Sequence, residues 1–223
     1  MLFRFDEIPS TQDVLKEYYR NRTAVFGDAA IAETQTCGRG RYGHRFHSPR
    51  GRGIYVSILL PYRDTDRMTI RAAAVLLTVI GEVTGLSADV KWVNDVFLDG
   101  RKIAGILAEA IVDEQGHPGA VVLGVGINLT EPPGGYSGDI QDVAGALFSS
   151  ARQADLSEQA IAMVKKSLTG ALLEKLTEMG STEESPEEIA LYRSRLINPS
   201  EVPPGVLDEG LSPRVPTCAS RDR

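Results

Sequence analysis

A glycine-punctuated run of arginines is the segment of this chain whose residue types most clearly suggest chemistry. Residues 38 to 43 read Gly-Arg-Gly-Arg-Tyr-Gly and lie in a stretch, from Thr34 to Arg63, that contains no carboxylate. Guanidinium groups bind phosphates and carboxylates through paired, charge-assisted hydrogen bonds, and glycines let a backbone fold closely over a ligand. The segment therefore predicts a mobile loop that closes on a small anionic molecule. The basic residues of the stretch are Arg39, Arg41, Arg45, Arg50, Arg52, Arg63, His44 and His47.

Two other interpretations of this stretch stay open, a solvated basic loop and a nucleic-acid patch. Runs of like charge usually lie on solvated faces. Nucleic acid is disfavoured, because 24 lysines and arginines stand against 30 acidic residues, giving a net charge of -6 and a pI near 5.2. Broad binding to a phosphate backbone needs the opposite balance of charge.

A second group of charged and amide side chains lies on a predicted β-hairpin. Lys91, Asn94, Asp95 and Lys102 fall close together, on either side of the turn-forming dipeptide Asp99-Gly100. Two lysines, an amide and a carboxylate on one hairpin predict a polar site more strongly than any one of them alone.

Strand alternation predicts the face that each of these side chains takes. The predicted faces are Lys91, Val93 and Asp95 on one side of the first strand, Trp92 and Asn94 on the other, and Lys102 with Ala104 and Ile106 in the second strand. A lysine among small and apolar residues either projects into a cavity or extends to the sheet edge beside Asp99.

The segment Gly124-Val125-Gly126-Ile127-Asn128 gives a weaker signal. Paired glycines in a strand allow close approach of a flat ligand or of a neighbouring backbone. The segment lacks the third glycine and the following helix of a dinucleotide-binding fingerprint. The sequence also contains no Walker motif, no His-Glu-x-x-His and no serine elbow, and its three histidines argue against a histidine-based metal site.

These residues need a scaffold, and the hydrophobic pattern predicts an α+β domain. Early strands paired through hairpins, with helices between and after them, favour a mixed, largely antiparallel sheet with helices packed on one face. Ser10 with Asp13, Asp155 with Glu158, and Ser185 predict three helix starts. The predicted strands span residues 2–8, 29–34, 53–60, 90–98, 102–112 and 120–129, and the predicted helices span 11–20, 67–84, one ending near 179 and one ending near 197.

The composition changes near the end of the chain. Residues Asn198 to Arg223 include five prolines and little apolar periodicity, which predicts a disordered tail after a domain of residues 1–197. No apolar run approaches the ~20 residues that span a bilayer, and the N-terminus lacks a signal-peptide pattern. Because Cys37 and Cys218 are the only cysteines, a disulfide framework is not expected. We therefore expect a cytoplasmic protein that binds no membrane and no nucleic acid.

Taken together, five segments resemble those of biotin protein ligases, in that family's order and at its spacing. They are Ser10-Thr11-Gln12, Gln35 with Gly38-Arg39-Gly40-Arg41-x-Gly43, Lys91-Trp92-x-Asn94-Asp95, Gly100-Arg101-Lys102-Ile103-Ala104-Gly105-Ile106-Leu107-x-Glu109, and Gly124-x-Gly126-Ile127-Asn128. The resemblance covers residues 3 to 195. We expect a catalytic domain without an N-terminal DNA-binding domain and with an atypical or missing C-terminal barrel.

The resemblance implies a fold like that of class II aminoacyl-tRNA synthetase cores and a reaction in two steps. The carboxylate of biotin attacks the α-phosphate of ATP, giving biotinyl-5'-AMP and pyrophosphate, and a carrier lysine then attacks the mixed anhydride. The implied cofactors are ATP and Mg2+, with biotin as the substrate. The implied partner is the biotin carboxyl carrier protein of a biotin-dependent carboxylase, and an exposed sheet edge would let two copies of the chain form a homodimer.

The resemblance also implies a role for each matching residue. The catalytic residues would be Lys102 and Arg39. Biotin would be bound by Ser10, Thr11, Gln12, Gln35, Arg39, Gly40, Arg41, Lys102 and Gly105. ATP or the adenylate would be bound by Arg39, Arg41, Phe46, Lys91, Asn94, Asp95 and Asn128. No protein side chain is assigned to Mg2+, which would be held mostly by phosphates and water.

Two residues depart from the family's pattern. Gln12 stands where an asparagine is common, and Phe46 stands where a tryptophan is usual, which would change packing near the adenine. Two other functions stay open beside the biotin ligase. One is a lipoate or octanoate transferase of the same fold, and the other is a biotin-binding protein with weak catalysis.

Overall fold

One mixed β-sheet forms the centre of the computed structural model, which describes residues 1 to 153 and 156 to 207. Seven strands lie in the order β1-β2-β3-β7-β6-β5-β4, with β1 and β2 parallel and the other neighbours antiparallel. The predicted α+β class with a largely antiparallel sheet is therefore confirmed. The strands are β1 (Leu2–Ile8), β2 (Ala29–Gln35), β3 (Gly53–Pro61), β4 (Asp89–Lys91), β5 (Asp95–Leu98), β6 (Arg101–Val112) and β7 (Pro118–Asn128).

The larger hydrophobic core lies between one face of this sheet and three helices, α2, α4 and α5. Residues 53 to 60 of β3 are all buried, because this strand is central and is covered on both faces. The strand therefore reads as a continuous run of β-forming residues rather than as an alternating one. The described helices are α1 (Thr11–Arg20), α2 (Thr65–Thr84), α3 (Ser150–Gln153), α4 (Glu158–Ser181) and α5 (Pro186–Ser194).

A smaller core lies on the opposite face of the sheet and belongs to α1. Leu15 of α1 is fully buried there against Leu59 of β3 and Val122 of β7. The prediction that the helices lie on one face is therefore wrong. Every second residue of the central strands points to this second face. Tyr55 and Ser57 of β3 share this face with Leu59 and lie by the start of α1.

The strand predicted over residues 90 to 98 is two strands. β4 and β5 pair antiparallel to each other, with Lys91 opposite Asp95, so the segment folds back on itself. The backbone at Trp92 and Val93, between the two strands, bonds to the C-terminal part of the chain. Trp92 N donates to Asn198 Oδ1 at 2.7 Å, and the Tyr192 hydroxyl donates to Val93 O at 3.0 Å. The predicted alternation of faces across residues 91 to 95 is wrong for this reason.

Lys102 does not share a face with Ala104 and Ile106. The register of β5 against β6 shifts by one residue, because Val96 pairs with Ala104 whereas Phe97 pairs with Lys102. The extra residue, Ile103, turns into the larger core together with Ala104 and Ile106. Such a bulge moves every residue before it to the other face of the strand. Lys102 consequently lies on the α1 side of the sheet.

Helix starts follow the predicted residues in two of three cases. Ser185 forms a complete capping box with Glu188 at the start of α5. Ser10 takes the N-cap position of α1, but its hydroxyl makes no capping hydrogen bond. The cap of α4 is Ser157, whose hydroxyl accepts from Ala160 N, and the predicted Asp155 lies outside the described residues.

Residues 198 to 207 pack against the domain. Leu207 is 8% exposed and belongs to the larger core, with Val202 and Val206 beside it. The division of the chain at 197/198 stays a prediction, and residues 208 to 223, including Cys218, lie outside the described residues. Within the described ranges, no helix has the length and apolar character that crossing a membrane requires.

Tyr192 gives a direct test of how this C-terminal packing contributes to stability. Its side chain is fully buried, its hydroxyl donates to Val93 O, and its ring packs edge-on against Trp92. Tyr192→Phe leaves that carbonyl buried without a donor, so we expect the free energy of unfolding to fall by about 1 kcal/mol. Urea unfolding should show a lower midpoint with an unchanged slope. Tyr62→Phe, which removes an exposed hydroxyl, serves as the control, and equal midpoints for both variants would contradict this account.

Candidate functional site

A cavity opens on the α1 side of the sheet, between the start of α1, the centre of the sheet and the loop of residues 36 to 48. Its volume is about 260 Å³, enough for a small molecule. Twelve of the fourteen predicted site residues line it, although their roles stay predictions. These are Ser10, Thr11, Gln12, Gln35, Arg39, Gly40, Arg41, Phe46, Asn94, Asp95, Lys102 and Gly105.

The two other predicted site residues lie elsewhere. Lys91 is exposed on β4 and does not line the cavity. Asn128 ends β7, and its Nδ2 donates to Gly145 O at 2.9 Å. Gly145 N in turn donates to Lys102 O at 2.8 Å. Asn128 is thus linked through residue 145 to the backbone of Lys102.

Glycines form the floor of the cavity because side chains of this chain lie directly on them. A Cβ atom on Gly126 would lie 2.5 Å from Cε1 of Phe46, and one on Gly124 would lie 3.0 Å from Nε2 of Gln12. The neighbouring Gly105 also lies beneath Phe46. The paired glycines therefore allow the side chains of Phe46 and Gln12 to approach the strand closely. The sequence had predicted close approach of a flat ligand or of a neighbouring backbone instead.

Ser10 and Gln12 present buried acceptors without a partner. Ser10 is fully buried, and its Oγ has no hydrogen-bond partner among the described residues. Gln12 is 4% exposed, and its Nε2 donates to Leu107 O at 2.8 Å, while its Oε1 is buried and unpaired within the same described part of the chain. Buried polar atoms normally find partners, since leaving one unpaired costs about 1–3 kcal/mol. Both atoms are therefore suited to receive N–H groups of a bound molecule.

Gln35 holds the start of α1 and the loop together. Its Oε1 accepts from Thr11 N at 2.9 Å and from Thr11 Oγ1 at 3.1 Å, and its Nε2 donates to Ser48 Oγ at 3.0 Å. Ser48 Oγ donates in turn to Phe46 O at 3.1 Å. Most of the hydrogen-bonding capacity of Gln35 is thus taken by the protein, which leaves one N–H for a ligand.

Ser57 is a site residue that the sequence reasoning missed. It is 1% exposed in the middle of β3, and its hydroxyl lies 2.8 Å from Thr11 Oγ1. The signal was present in the sequence, because Ser57 interrupts an otherwise apolar run. A polar residue at such a position needs a buried partner.

Lys102 and Asp95 form an ion pair at the edge of the cavity. Lys102 Nζ lies 2.7 Å from Asp95 Oδ1, and both side chains are about three-quarters buried. The alternative position for Lys102, beside Asp99, is wrong, because Asp99 pairs with Arg152. The backbone of Lys102 is fixed by Val143 O and Gly145 N, each at 2.8 Å. A cation is thus held on a rigid strand where it faces the cavity.

The loop of residues 36 to 48, called the arginine loop below, closes one side of the cavity. Phe46 N donates to Gly38 O at 2.9 Å and Gly40 N donates to His44 O at 2.8 Å, so the loop folds as a narrow hairpin. Arg39 pairs with two carboxylates at the mouth, and Arg41 lies 3.5 Å from Asp66 of α2. The arginines thus border the cavity together with Lys102.

Phe46 lies inside the cavity rather than on the surface of the loop. Its ring packs edge-on against Tyr55 at 6.3 Å between centroids. The Tyr55 hydroxyl donates to Pro49 O at 2.9 Å, and burial raises the pKa of that phenol above its usual value. Tyr55 is therefore an uncharged donor that fixes the end of the loop at neutral pH.

No cluster of three or more histidine, cysteine, aspartate or glutamate side chains that could hold a metal is present within the described ranges. Asp95 is the one carboxylate among the described residues that line the cavity. The cavity therefore combines a polar end with buried acceptors and a cationic end with three arginines and a lysine. Such an arrangement suits a molecule that carries N–H donors at one end and a carboxylate at the other.

Known proteins resemble this chain in sequence. A model of the biotin/lipoate A/B protein ligase family matches residues 4–128. The bifunctional ligase/repressor BirA of Bacillus subtilis is 34% identical over 154 residues, which are 67% of this chain and 47% of that protein. The biotin–[acetyl-CoA-carboxylase] ligase of Paracoccus denitrificans is 35% identical over 108 residues, which are 46% of this chain and 45% of that protein. The chain thus spans less than half the length of either relative.

A solved structure extends the likeness to the three-dimensional fold. The biotin protein ligase of Aquifex aeolicus, in complex with biotin and ATP, superposes with a TM-score of 0.66 at 26% sequence identity. The match covers 88% of this chain and 78% of that protein.

Proposed function

The chain belongs to the biotin/lipoate A/B protein ligase family, and on that premise we propose that it is an ATP-dependent biotin ligase. It converts biotin to biotinyl-5'-AMP and transfers the biotin to a lysine of the biotin carboxyl carrier protein of a carboxylase. One observation carries the proposal. Ser10 Oγ and Gln12 Oε1, buried acceptors that no described residue pairs with, belong to residues that line the same cavity as Lys102 and Arg39.

The unpaired acceptors favour biotin over the other acids that this family handles. The ureido ring of biotin carries two N–H donors, whereas the dithiolane ring of lipoate and the alkyl chain of octanoate carry none. A site built to pair with N–H groups discriminates strongly against a ligand that lacks them, since its polar groups then stay buried and unpaired. Ser10 and Gln12 thus support a biotin ligase rather than a lipoate or octanoate transferase.

The cationic end of the cavity suits the first step. A carboxylate oxygen of biotin forms a bond to the α-phosphorus of ATP, and the bond from that phosphorus to the bridging oxygen breaks, so that pyrophosphate leaves. The two reacting groups are both anionic, and fixed cations offset their repulsion without reorganising. Lys102, Arg39 and Arg41 supply these cations. Mg2+ would enter with ATP and be held by phosphates and water, since the lining supplies only the carboxylate of Asp95.

The second step needs the intermediate to be protected until a carrier lysine arrives. The lysine amine attacks the biotinyl carbonyl, a C–N bond forms, and AMP leaves with the electrons of the C–O bond. The arginine loop covers the mouth of the cavity and shields the anhydride from water.

Arg39→Ala should let the intermediate escape. The guanidinium lies at the mouth of the cavity and belongs to the loop that covers it. We expect the release rate of biotinyl-AMP to rise about tenfold, with a smaller change in its rate of formation. Rapid gel filtration of protein loaded with labelled intermediate measures the release. Equal release from the variant and the unchanged protein would contradict a closing loop.

A transfer assay tests the whole proposal. The protein is incubated with ATP, Mg2+, radiolabelled biotin and a purified carrier domain, with a carrier whose acceptor lysine is changed to arginine as the control. We expect label on the unchanged carrier alone and only when ATP is present. Labelling with lipoate or octanoate but not biotin would support a transferase instead, and tight biotin binding without pyrophosphate release would identify a binding protein.

A further inference from the structure

A chain of four alternating charges crosses the mouth of the cavity. Lys16 Nζ lies 2.9 Å from Glu109 Oε2, Glu109 Oε1 lies 2.9 Å from Arg39 Nη2, and Arg39 Nη1 lies 2.9 Å from Asp13 Oδ1. Lys16 and Asp13 belong to α1, Glu109 to β6, and Arg39 to the loop. The loop is thus tied to both elements that flank the opening.

Glu109 is one of the two inner members of this chain of charges and lies between Lys16 and Arg39. It follows Gly105 and Leu107 on the face of β6 that borders the cavity, and its side chain is 23% exposed. Each of its two oxygens has its own cation, and the Lys16 side chain, at 13% exposed, limits how far the carboxylate moves. Because Lys16 restrains the carboxylate of Glu109, that carboxylate in turn holds the guanidinium of Arg39 in place.

The geometry fixes the orientation of Arg39 as well as its position. Asp13 and Glu109 take N–H groups on different nitrogens of one planar guanidinium, so the plane is held from two directions. Three of its five N–H groups remain for other partners. A guanidinium in this position presents those donors to an anion inside the cavity.

The fold has anchors other than the two ion pairs of Arg39. α1 is anchored by Leu15 in the smaller core, and β6 is paired along its length with β7. Arg39 and Asp13 are each almost half exposed, and exposed pairs contribute little to stability. The Arg39–Asp13 pair therefore contributes little to folding and acts mainly on the position of the loop.

We propose that Glu109, assisted by Asp13, is a positioning residue that holds Arg39 across the mouth of the cavity and thereby slows the escape of biotinyl-AMP. This inference rests on the proposed ligase function for its effect on the intermediate. The effect on the loop is independent of that function. Because trypsin cleaves after arginine and the loop contains three arginines, opening of the loop can be measured without any ligand.

Limited trypsin digestion measures the loop directly. Glu109→Gln removes the charge with little change of shape, and it should speed initial cleavage after Arg41 or Arg45 about fivefold. Asp13→Asn should act in the same direction, and it serves if Glu109→Gln folds poorly. Glu183→Gln, which neutralises an exposed carboxylate paired with the distant Arg63, is the control. Cleavage of both loop variants at the rate of that control would overturn the inference.

Release of the intermediate supplies the second measurement. Glu109→Gln should speed release of biotinyl-AMP about fivefold while changing its rate of formation less than about twofold. In an Arg39→Ala background the same substitution should have no further effect, because it acts through Arg39. An additive effect in that background, or unchanged release alongside normal formation, would overturn the inference. Failure of the unchanged protein to form biotinyl-AMP would instead contradict the proposed function, and trypsin cleavage would still decide the role of Glu109.

Discussion

Lys102→Ala should slow the formation of biotinyl-AMP about a thousandfold, the size of effect seen when a preorganised charge-stabilising donor is removed. Lys102 is the cation that the sheet itself holds at the cavity, with its ammonium 2.7 Å from Asp95 and its backbone bonded on both sides. Its position requires no movement of the loop. In the Lys102→Ala protein, the reacting carboxylate and α-phosphate therefore lack a cation that is normally in place before either of them binds.

Single-turnover quench experiments with labelled ATP measure this rate directly. Lys175→Ala, which removes a lysine that pairs with Glu82 on the helical face, is the matched control and should form the intermediate normally. Lys102→Arg should restore part of the rate, because it keeps the charge but changes the shape of the donor. A rate within about tenfold of normal for Lys102→Ala would remove Lys102 from the chemistry.

Gln12→Met should weaken biotin binding about a hundredfold. The substitution keeps the length of the side chain but removes Oε1, the buried acceptor that has no partner in the described part of the chain. A ureido N–H would then be buried opposite a thioether. Isothermal titration with biotin measures the loss of affinity.

The same variant separates biotin from lipoate. Lipoate brings no N–H group to this end of the cavity, so any affinity for it should change little. Gln153→Met is the control, because Gln153 also donates to a backbone carbonyl, Phe148 O at 2.7 Å, far from the cavity. Equal biotin affinity for the Gln12 and Gln153 variants would contradict the role of the unpaired oxygen.

Local pattern was enough to predict the elements that carry the site. The first helix was predicted at residues 11 to 20, where α1 lies, and the predicted capping residue Ser185 does form its box. These features depend on neighbours a few positions apart in the chain, so a single sequence contains them.

The errors arise where a distant part of the chain decides the local structure. The predicted strand over residues 90 to 98 breaks because Trp92 and Val93 bond to Asn198 and Tyr192, about a hundred positions away. The face of Lys102 depends on a bulge at Ile103, which hydrophobic alternation does not reveal.

In the candidate site, too, local sequence predicts some features and long-range contacts decide the others. Arginines and glycines in one segment predicted an anion-binding loop, and the resemblance supplied most of the residues that line the cavity. The contacts that decide its chemistry join separate elements. Gln12 reaches Leu107, and Arg39 reaches Glu109. Neither contact has a signature in sequence spacing, since each depends on how α1, the loop and β6 meet.

The most direct test of the central claim is biotin-dependent exchange of labelled pyrophosphate into ATP. This exchange occurs only if the protein forms an acyl-adenylate reversibly from its acid substrate. We predict exchange with biotin, none with lipoate or octanoate, and loss of exchange in Lys102→Ala. Exchange that is absent with biotin, or that is supported equally by lipoate, would contradict the account.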